Sequence, residues 1–367
     1  MIKISDKLNK KIDIYPLTGF RNSEVVFFDI ETTGFAANTT SVYLIGCVYY
    51  QKSSWQSVSW FAETPAHELE VISNFFEFIS NYKAIIHFNG DGFDIPYLLK
   101  KVNMYNLPYN FENKTSIDIY KKISPLKHIL KLGNLKQKSI EKFLGINRND
   151  KFNGGELISI YNHYVASPNL YDYNNLILHN KEDIAGLLNI LPILSYSAMC
   201  SKEFEVRGIC LSTEHIDPTY EPKTLLLGLD FNSPFPKSLS YSYEEFSISI
   251  MSNTNVAHLS IKVYSDELKY FFPNYKDYYY LPCEDVALHK SVAFYVDKDF
   301  RTRAKAANCF SKKTGRFAPQ YDEIIKPYFK IDYYDKKCYF ELTDEALNDR
   351  KMMTTYAKHI MDILLKK

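Results

Sequence analysis

The chain of 367 residues has little that would staple it covalently or place it in a bilayer. Its six cysteines, Cys47, Cys200, Cys210, Cys283, Cys309 and Cys338, stand far apart with no CxxC pair. That argues against zinc or a disulfide framework and for reduced, structural thiols. No apolar run approaches the roughly 18–20 residues of a spanning helix, and Met1 to Lys11 is polar without an apolar leader, so the expectation is a cytoplasmic protein with no membrane partner. Internal repeats and low-complexity stretches are also missing. Net charge is only +1, so local charge must decide whether a polyanion is a partner. What is present is a 46% hydrophobic and 16% aromatic composition, enough for a large core, in a length that suggests about two domains.

The first half reads as α/β. Residues 25–30, 42–50 and 55–61 have strand character, the last two joined by a polar turn at Gln51 to Ser54, which predicts an antiparallel meander. Thr64 is placed to cap a following helix, with Pro65 in its first turn and Leu69, Ile72, Phe76 and Ile79 as its stripe. Then come a strand at Ala84 to Phe88, a turn at Asn89-Gly90, a helix at Pro96 to Val102 and a strand at Thr115 to Ile119, an alternation that implies parallel neighbours. After about residue 200 the texture changes. Phe246, Ile248 and Ile250 alternate, Asn253-Thr254-Asn255 turns, and Leu259, Ile261 and Val263 alternate again, predicting a hairpin. A final helix is expected from a cap at Thr343, with Met353, Tyr356, Ile360 and Ile363 on one face. The boundary is expected between Ser197 and Lys223, with Pro218 and Pro222 marking irregular chain. This gives domains 1–200 and 201–367, the second smaller, β-rich and α+β.

Carboxylates carry the chemical signal. In FFDIETTG, Asp29 and Glu31 lie two apart in a strand and share a face, so they can converge on one cation. Thr33 and Gly34 follow in a tight turn whose N–H and hydroxyl groups suit a sugar and a phosphate. Asp94 lies in HFNGDGFD, and Asp183 in HNKED with His179 four residues earlier on the same helical face. Each has an ordinary reading: solvated strand-end acids for Asp29 and Glu31, a helix cap for Asp94, an exposed helix residue for Asp183, and a structural role for His179. Oxygen-only donors of this kind suit magnesium or manganese.

Together, DxE at the end of the first strand, NGxxFD after a later strand and an acid on a late helix with His one turn before it resemble the DEDD-type, DnaQ-like 3′–5′ exonucleases. The segment LKQKSIEKFLGI at residues 135–146, with Gly154-Gly155-Glu156 after it, is similar to the YprB-type subgroup; the likeness covers roughly residues 22–195. It implies a ribonuclease H-like mixed sheet flanked by helices. It also implies that Asp29, Glu31, Asp94 and Asp183 hold two divalent cations, Mg2+ or Mn2+, with Asp29 bridging. His179 would orient or deprotonate the attacking water, for which an ordinary pKa near 6.5 is suited. Family members place the His five residues before the last Asp, or a Tyr four before it; here the His has the Tyr spacing. Asn89 and Phe93 would shape the site, Thr33, Gly34 and Phe35 contact the terminal nucleotide, and Asp118 support the ligands. The implied reaction is hydrolysis at the 3′ end of single-stranded DNA or RNA, releasing nucleoside monophosphates.

Such an acidic site needs positive surface nearby. Six lysines, Lys121, Lys122, Lys127, Lys131, Lys136 and Lys138, lie between Asp118 and Glu141 with no acid among them. Arg301, Arg303 and Arg316 lie with Lys305, Lys312 and Lys313 among Phe300, Phe310 and Phe317, a pattern that can track phosphates and stack bases. Solvated lysines and core phenylalanines produce the same pattern. Two other functions remain open at this point: an endonuclease of the same fold, and a non-catalytic nucleic-acid-binding protein on a nuclease scaffold.

Overall fold

The computed structural model describes residues 1–212 and 224–366, which form two compact units, Met1–Ser197 and Ala198–Lys367. Pro218 and Pro222 lie outside the described residues.

A six-stranded sheet in the order β1-β4-β3-β2-β5-β6 organises the first unit. Its strands are β1 (Ile2–Leu8), β2 (Val25–Thr32), β3 (Val42–Gln51), β4 (Ser54–Phe61), β5 (Ala84–His87) and β6 (Thr115–Asp118). Strands β2, β3 and β4 are antiparallel, as the meander predicts, and β1 adds antiparallel to β4, whereas β5 and β6 run parallel to β2. The β3–β4 turn has φ of 49° at Lys52 and 59° at Ser53, the left-handed pair that matches the twist of a two-residue hairpin. β1 was not foreseen. It is an edge strand whose Lys3, Asp6 and Lys7 give it the polarity of a loop.

Helices α1 (Tyr15–Thr18), α2 (Glu68–Ile79), α3 (Asp94–Met104), α4 (Ile119–Ile123), α5 (Gln137–Leu144), α6 (Gly154–Ala166) and α7 (Leu170–Ile190) complete the unit. Two expectations for α2 fail. Thr64 makes no capping bond to the backbone, because Pro65–His67 winds as a tight 3-10 turn before the helix and the Thr64 hydroxyl pairs with His67 Nδ1 at 3.2 Å. The buried face is Val71, Ile72, Phe75, Phe76 and Ile79, while Leu69 is exposed. One apolar cluster joins Phe28, Tyr43 and Trp60 of the sheet to Phe75 of α2, Tyr161 of α6 and Leu176 of α7. By length and composition, Leu170–Ser201 would pass for a spanning segment, contrary to the expectation that no apolar run is long enough, but 61% of its apolar window is buried inside the protein. A core helix meets that test too.

Among the described residues, the second unit contains three sheets. Strands β7 (Phe204–Ser212), β8 (Thr224–Phe231), β9 (Leu239–Tyr243), β10 (Phe246–Ile250) and β11 (Val256–Lys262) pair in the order β7-β8-β11-β10-β9. The expected hairpin is β10–β11, with Phe246 opposite Ile261. Strands β12 (Tyr264–Phe271), β16 (Phe310–Gln320), β17 (Tyr328–Phe329) and β18 (Cys338–Glu341) form a second sheet; β13 (Tyr278–Leu281), β14 (Val286–His289) and β15 (Thr302–Arg303) form the third. Short helices α8 (Ala198–Ser201) and α9 (Lys290–Ala293) intervene. The C-terminal helix is two, α10 (Asp344–Asn348) and α11 (Arg350–Leu365), because Asp349 caps Met352 and restarts it. Thr343 caps α10 as expected, and Met353, Tyr356 and Ile360 are buried, joined by Leu364 where Ile363 was anticipated. All six cysteines are free.

Candidate active site

β2 is the strand at which the antiparallel half of the sheet meets the parallel half. In open α/β sheets such a switch leaves a crevice beyond the carboxyl ends of the strands, where ligands bind. Asp29 and Glu31 lie near that end of β2 and, two apart, face the same side. Helix α7 packs across that side. It comes close because Gly46 of β3, the register partner of Asp29, has no side chain: a Cβ there would stand 2.2 Å from the Asn180 amide oxygen of α7. The Ser59 hydroxyl donates to that same oxygen at 2.9 Å and pins the helix. On α7, His179 and Asp183 are one turn apart and face the β2 acids.

The geometry is tight. His179 Nε2 lies 3.0 Å from Asp183 Oδ2 and 3.5 Å from Glu31 Oε1. Asp94 enters from the first turn of α3 and accepts the Ile30 N–H at 3.3 Å, so it is tied to β2 and does not cap α3, whose N-cap position is Phe93. Burial, reinforced by Asp183, Asp94 and Glu31, pushes the Asp29 carboxyl well above its usual range. Burial likewise lifts Glu31 to about 8, against the pull of His179, and Asp94 to about 7, against bonds from its own and the Ile30 backbone N–H. Asp183 stays low despite burial, because His179 and Arg148 hold its charge. Burial opposes charge on His179, but Asp183, Glu31 and Asp150 outweigh it and raise the imidazole to about 9. Converging oxygen donors whose negative charge is under-compensated fit divalent cations, and Glu31, His179 and Asp183 offer ligand atoms within 4.8 Å of one another.

Arg148 and Asp150, in the loop between α5 and α6, were not found from sequence. Arg148 forms ion pairs with Asp183 and Glu141, and Asp150 Oδ2 lies 2.8 Å from His179 Nδ1 and 2.8 Å from Lys138 Nζ. Glu182, beside Asp183 on α7, accepts the Asp150 N–H at 2.8 Å and holds the loop. Glycine again permits the approach, since a Cβ at Gly186 would meet Glu141 Oε1 at 2.3 Å. Nothing in periodicity marks such loop residues; the signal was an acid pair, Glu182-Asp183, of which only one member was read. The Gly154-Gly155-Glu156 segment opens α6, where Asn153 and Glu156 cap each other's backbone N–H groups.

A groove of about 670 Å³ opens beside the carboxylates, lined by Asp29, Asp94, Phe35, Asn89, Phe93 and Lys136 among others. Phe35 is 89% exposed and meets Phe93 edge-on at 5.9 Å. Asn89 adopts φ of 61°, a left-handed turn that asparagine tolerates. Thr33 and Gly34 do not line the groove. The Thr33 N–H donates to the Ser41 carbonyl and its hydroxyl accepts the Ser41 N–H, both at 2.8 Å, while the Gly34 carbonyl accepts from Thr40, so these groups close their own loop. Asp118 is outside the cluster and accepts N–H bonds from Asn89, Asp91 and Lys121. The six lysines are exposed. Arg301, Arg303 and Arg316 belong to the second unit, Arg316 in a cleft with Asp266, Glu341 and Asp344, while Phe310 and Phe317 are core residues unable to stack on bases.

Residues 26–195 match a family model described as the RNase_H superfamily, and the first unit has that fold, a mixed sheet flanked by helices. No curated protein matches the chain. Among solved structures, a family B DNA polymerase from the archaeon Pyrobaculum calidifontis is similar at 15% identity and a TM-score of 0.39, over 69% of this chain and 35% of the polymerase. The zinc-bound E. coli ExoI–ssDNA complex is similar at 11% identity and a TM-score of 0.30, over 55% of this chain and 54% of the nuclease. The chain thus spans about a third of the polymerase and about half of the exonuclease.

Proposed function

We propose that the first unit is a metal-dependent 3′–5′ exonuclease that hydrolyses the terminal phosphodiester of single-stranded DNA or RNA and releases nucleoside monophosphates. The observation that carries this reading is the convergence of Asp29, Glu31, Asp94 and Asp183 from three elements, with His179 Nε2 directed among them. The four carboxylates would hold Mg2+ or Mn2+, which supply charge compensation at a scissile phosphate and activation of water. Asp150 accepts the Nδ1 proton of His179 and fixes its tautomer, leaving Nε2 as the nitrogen that takes a proton from water. Asp183 and Glu31, which favour a proton on His179, are among the groups a cation would neutralise, so a bound cation would lower the imidazole's hold on that proton and leave Nε2 able to act as a base. Phe35 and Phe93 give the terminal base an aromatic wall, and Lys136 faces the phosphates from the groove.

Incubating 5′-labelled DNA and RNA strands with the protein and manganese tests this reading. A one-nucleotide ladder from the 3′ end is expected. Discrete internal cuts would replace it with the endonuclease reading, and binding without cleavage with the non-catalytic one.

A further inference from the structure

We propose that the second unit carries its own binding face for single-stranded nucleic acid, built from Phe294, Tyr295 and Phe300 around the Arg301–Arg303 pair. Two kinds of observation meet there. The rings are unusually exposed for their size: Phe294 is 74% exposed, Tyr295 86% and Phe300 58%. Such surface normally seeks cover when it clusters. Phe294 and Tyr295 pack edge-on at 5.7 Å, and the Arg301 guanidinium donates to the carbonyl of Ala293, which ties the residue after Phe300 to the one before Phe294.

The charge is as unbalanced as the rings are uncovered. β15 lies against β13 with Arg303 opposite Tyr279, and the guanidinium carbons of Arg301 and Arg303 stand 5.0 and 4.7 Å from the centre of that one ring. Two like charges sharing a ring lie within about a Debye length, roughly 10 Å at 0.1 M salt, of each other. Lys290 and Lys312 are matched by Asp277 and Asp285, whereas among the described residues neither arginine has a carboxylate partner. From Val296 to Lys305 there are four cations, Lys298, Arg301, Arg303 and Lys305, against Asp297 and Asp299.

Rings alone would suit an apolar protein partner, and cations alone any polyanion. A single strand uses both, since its phosphates neutralise the guanidinium pair and its unpaired bases offer faces to the rings. A duplex cannot, because its bases are already stacked inside. The proposal rests on the nuclease reading only for why a strand would be present.

Fluorescence anisotropy of the full-length protein with a labelled 20-nucleotide single strand, in EDTA so that nothing is hydrolysed, tests it. The double variants Phe294→Ala/Tyr295→Ala and Arg301→Ala/Arg303→Ala should each weaken binding about tenfold, as loss of one or two stacked bases or phosphate contacts does. The arginine variant should also lower the slope of log affinity against log salt by about 1.4, at about 0.7 per single-strand contact, and the aromatic variant should leave it unchanged. Both should retain wild-type circular dichroism and hydrolysis of a mononucleotide ester, which separates failure of this face from failure of the active-site reading. Unchanged affinity in both variants would overturn the proposal. So would an equal loss for duplex, or a dimer that the aromatic substitutions dissociate without affecting strand binding.

Discussion

Two clusters in the first unit have nearly the same composition and opposite characters. Glu31, His179 and Asp183 form one; His87, Asp91 and Asp118 form the other, about as compact. In the second cluster every group has an assigned partner. Gly90 N–H donates to His87 Nδ1 at 3.1 Å, His87 Nε2 donates to the Ser116 hydroxyl at 2.8 Å, and that hydroxyl donates to Asp91 at 2.6 Å. The chain of donors leaves His87 one proton, and burial lowers its pKa. Asp118 accepts three backbone N–H groups and braces the turn that leads to Asp94. Both histidines have carboxylates beside each nitrogen, but those of His87 stand off at 3.6 and 3.8 Å, whereas His179 meets Asp150 at 2.8 Å and Asp183 at 3.0 Å, and the acids around it repel one another. Composition therefore does not distinguish the proposed site from a brace; the balance of donors, acceptors and charge is what sets the two clusters apart.

The contrast is broken most sharply by Asp29→Asn. Hydrolysis should nearly vanish while the melting temperature in EDTA holds or rises, since the amide cannot take on the charge that burial and the neighbouring acids disfavour there; a large loss of stability would mean that Asp29 is a brace after all. His179→Ala should lower turnover about 10²–10⁴-fold at saturating metal, the usual worth of a general base. Asp150→Asn should cost about 10–100-fold, in line with other groups that orient an acting side chain, with manganese affinity by calorimetry unchanged. On the brace side, Asp118→Ala should lower stability by about 1–3 kcal/mol, because buried donors lose their acceptor, while divalent ions still raise the melting temperature.

The smallest and most diagnostic effect is pH dependence without metal. Glu31, raised from 4.5 to about 8, and His179, raised from 6.5 to about 9, keep protons in the folded chain that the unfolded chain has released. Stability in EDTA should therefore fall as pH rises from about 4.5 through about 9. Manganese should restore most at the alkaline end. His87 acts in the opposite sense, since its lowered pKa removes stability as pH falls below 6.5. Melting curves from pH 5 to 9 check this; a metal-free curve still rising at pH 8 would contradict the charge balance described for the site.

Legibility from sequence followed the range of the interactions. Strands β2 to β6 were read because apolar runs and turn residues are local, and β1 was missed because an edge strand carries polar side chains on an exposed face. The cap on α2 misread because Thr64 gained a nearer partner in His67. Asp29 and Glu31 announce themselves by a period of two, and His179 and Asp183 by one helical turn. Arg148 and Asp150 reach α7 across about 30 residues of chain through a loop without period, and no spacing rule reports that distance.

The sequence by itself determined the order of β2 to β6 with α2 and α3 between them and which four carboxylates to consider, because backbone periodicity and turn chemistry act over a few residues. Only the tertiary structure decided that Asp118 braces a turn, that Thr33 closes its own loop, that Phe310 and Phe317 are core, and that His179 lies between Asp150 and Asp183. The physical reason is that partnership is settled by close packing. The bare backbone of Gly46 lets α7 approach β3, and that approach determines which donors meet which acceptors.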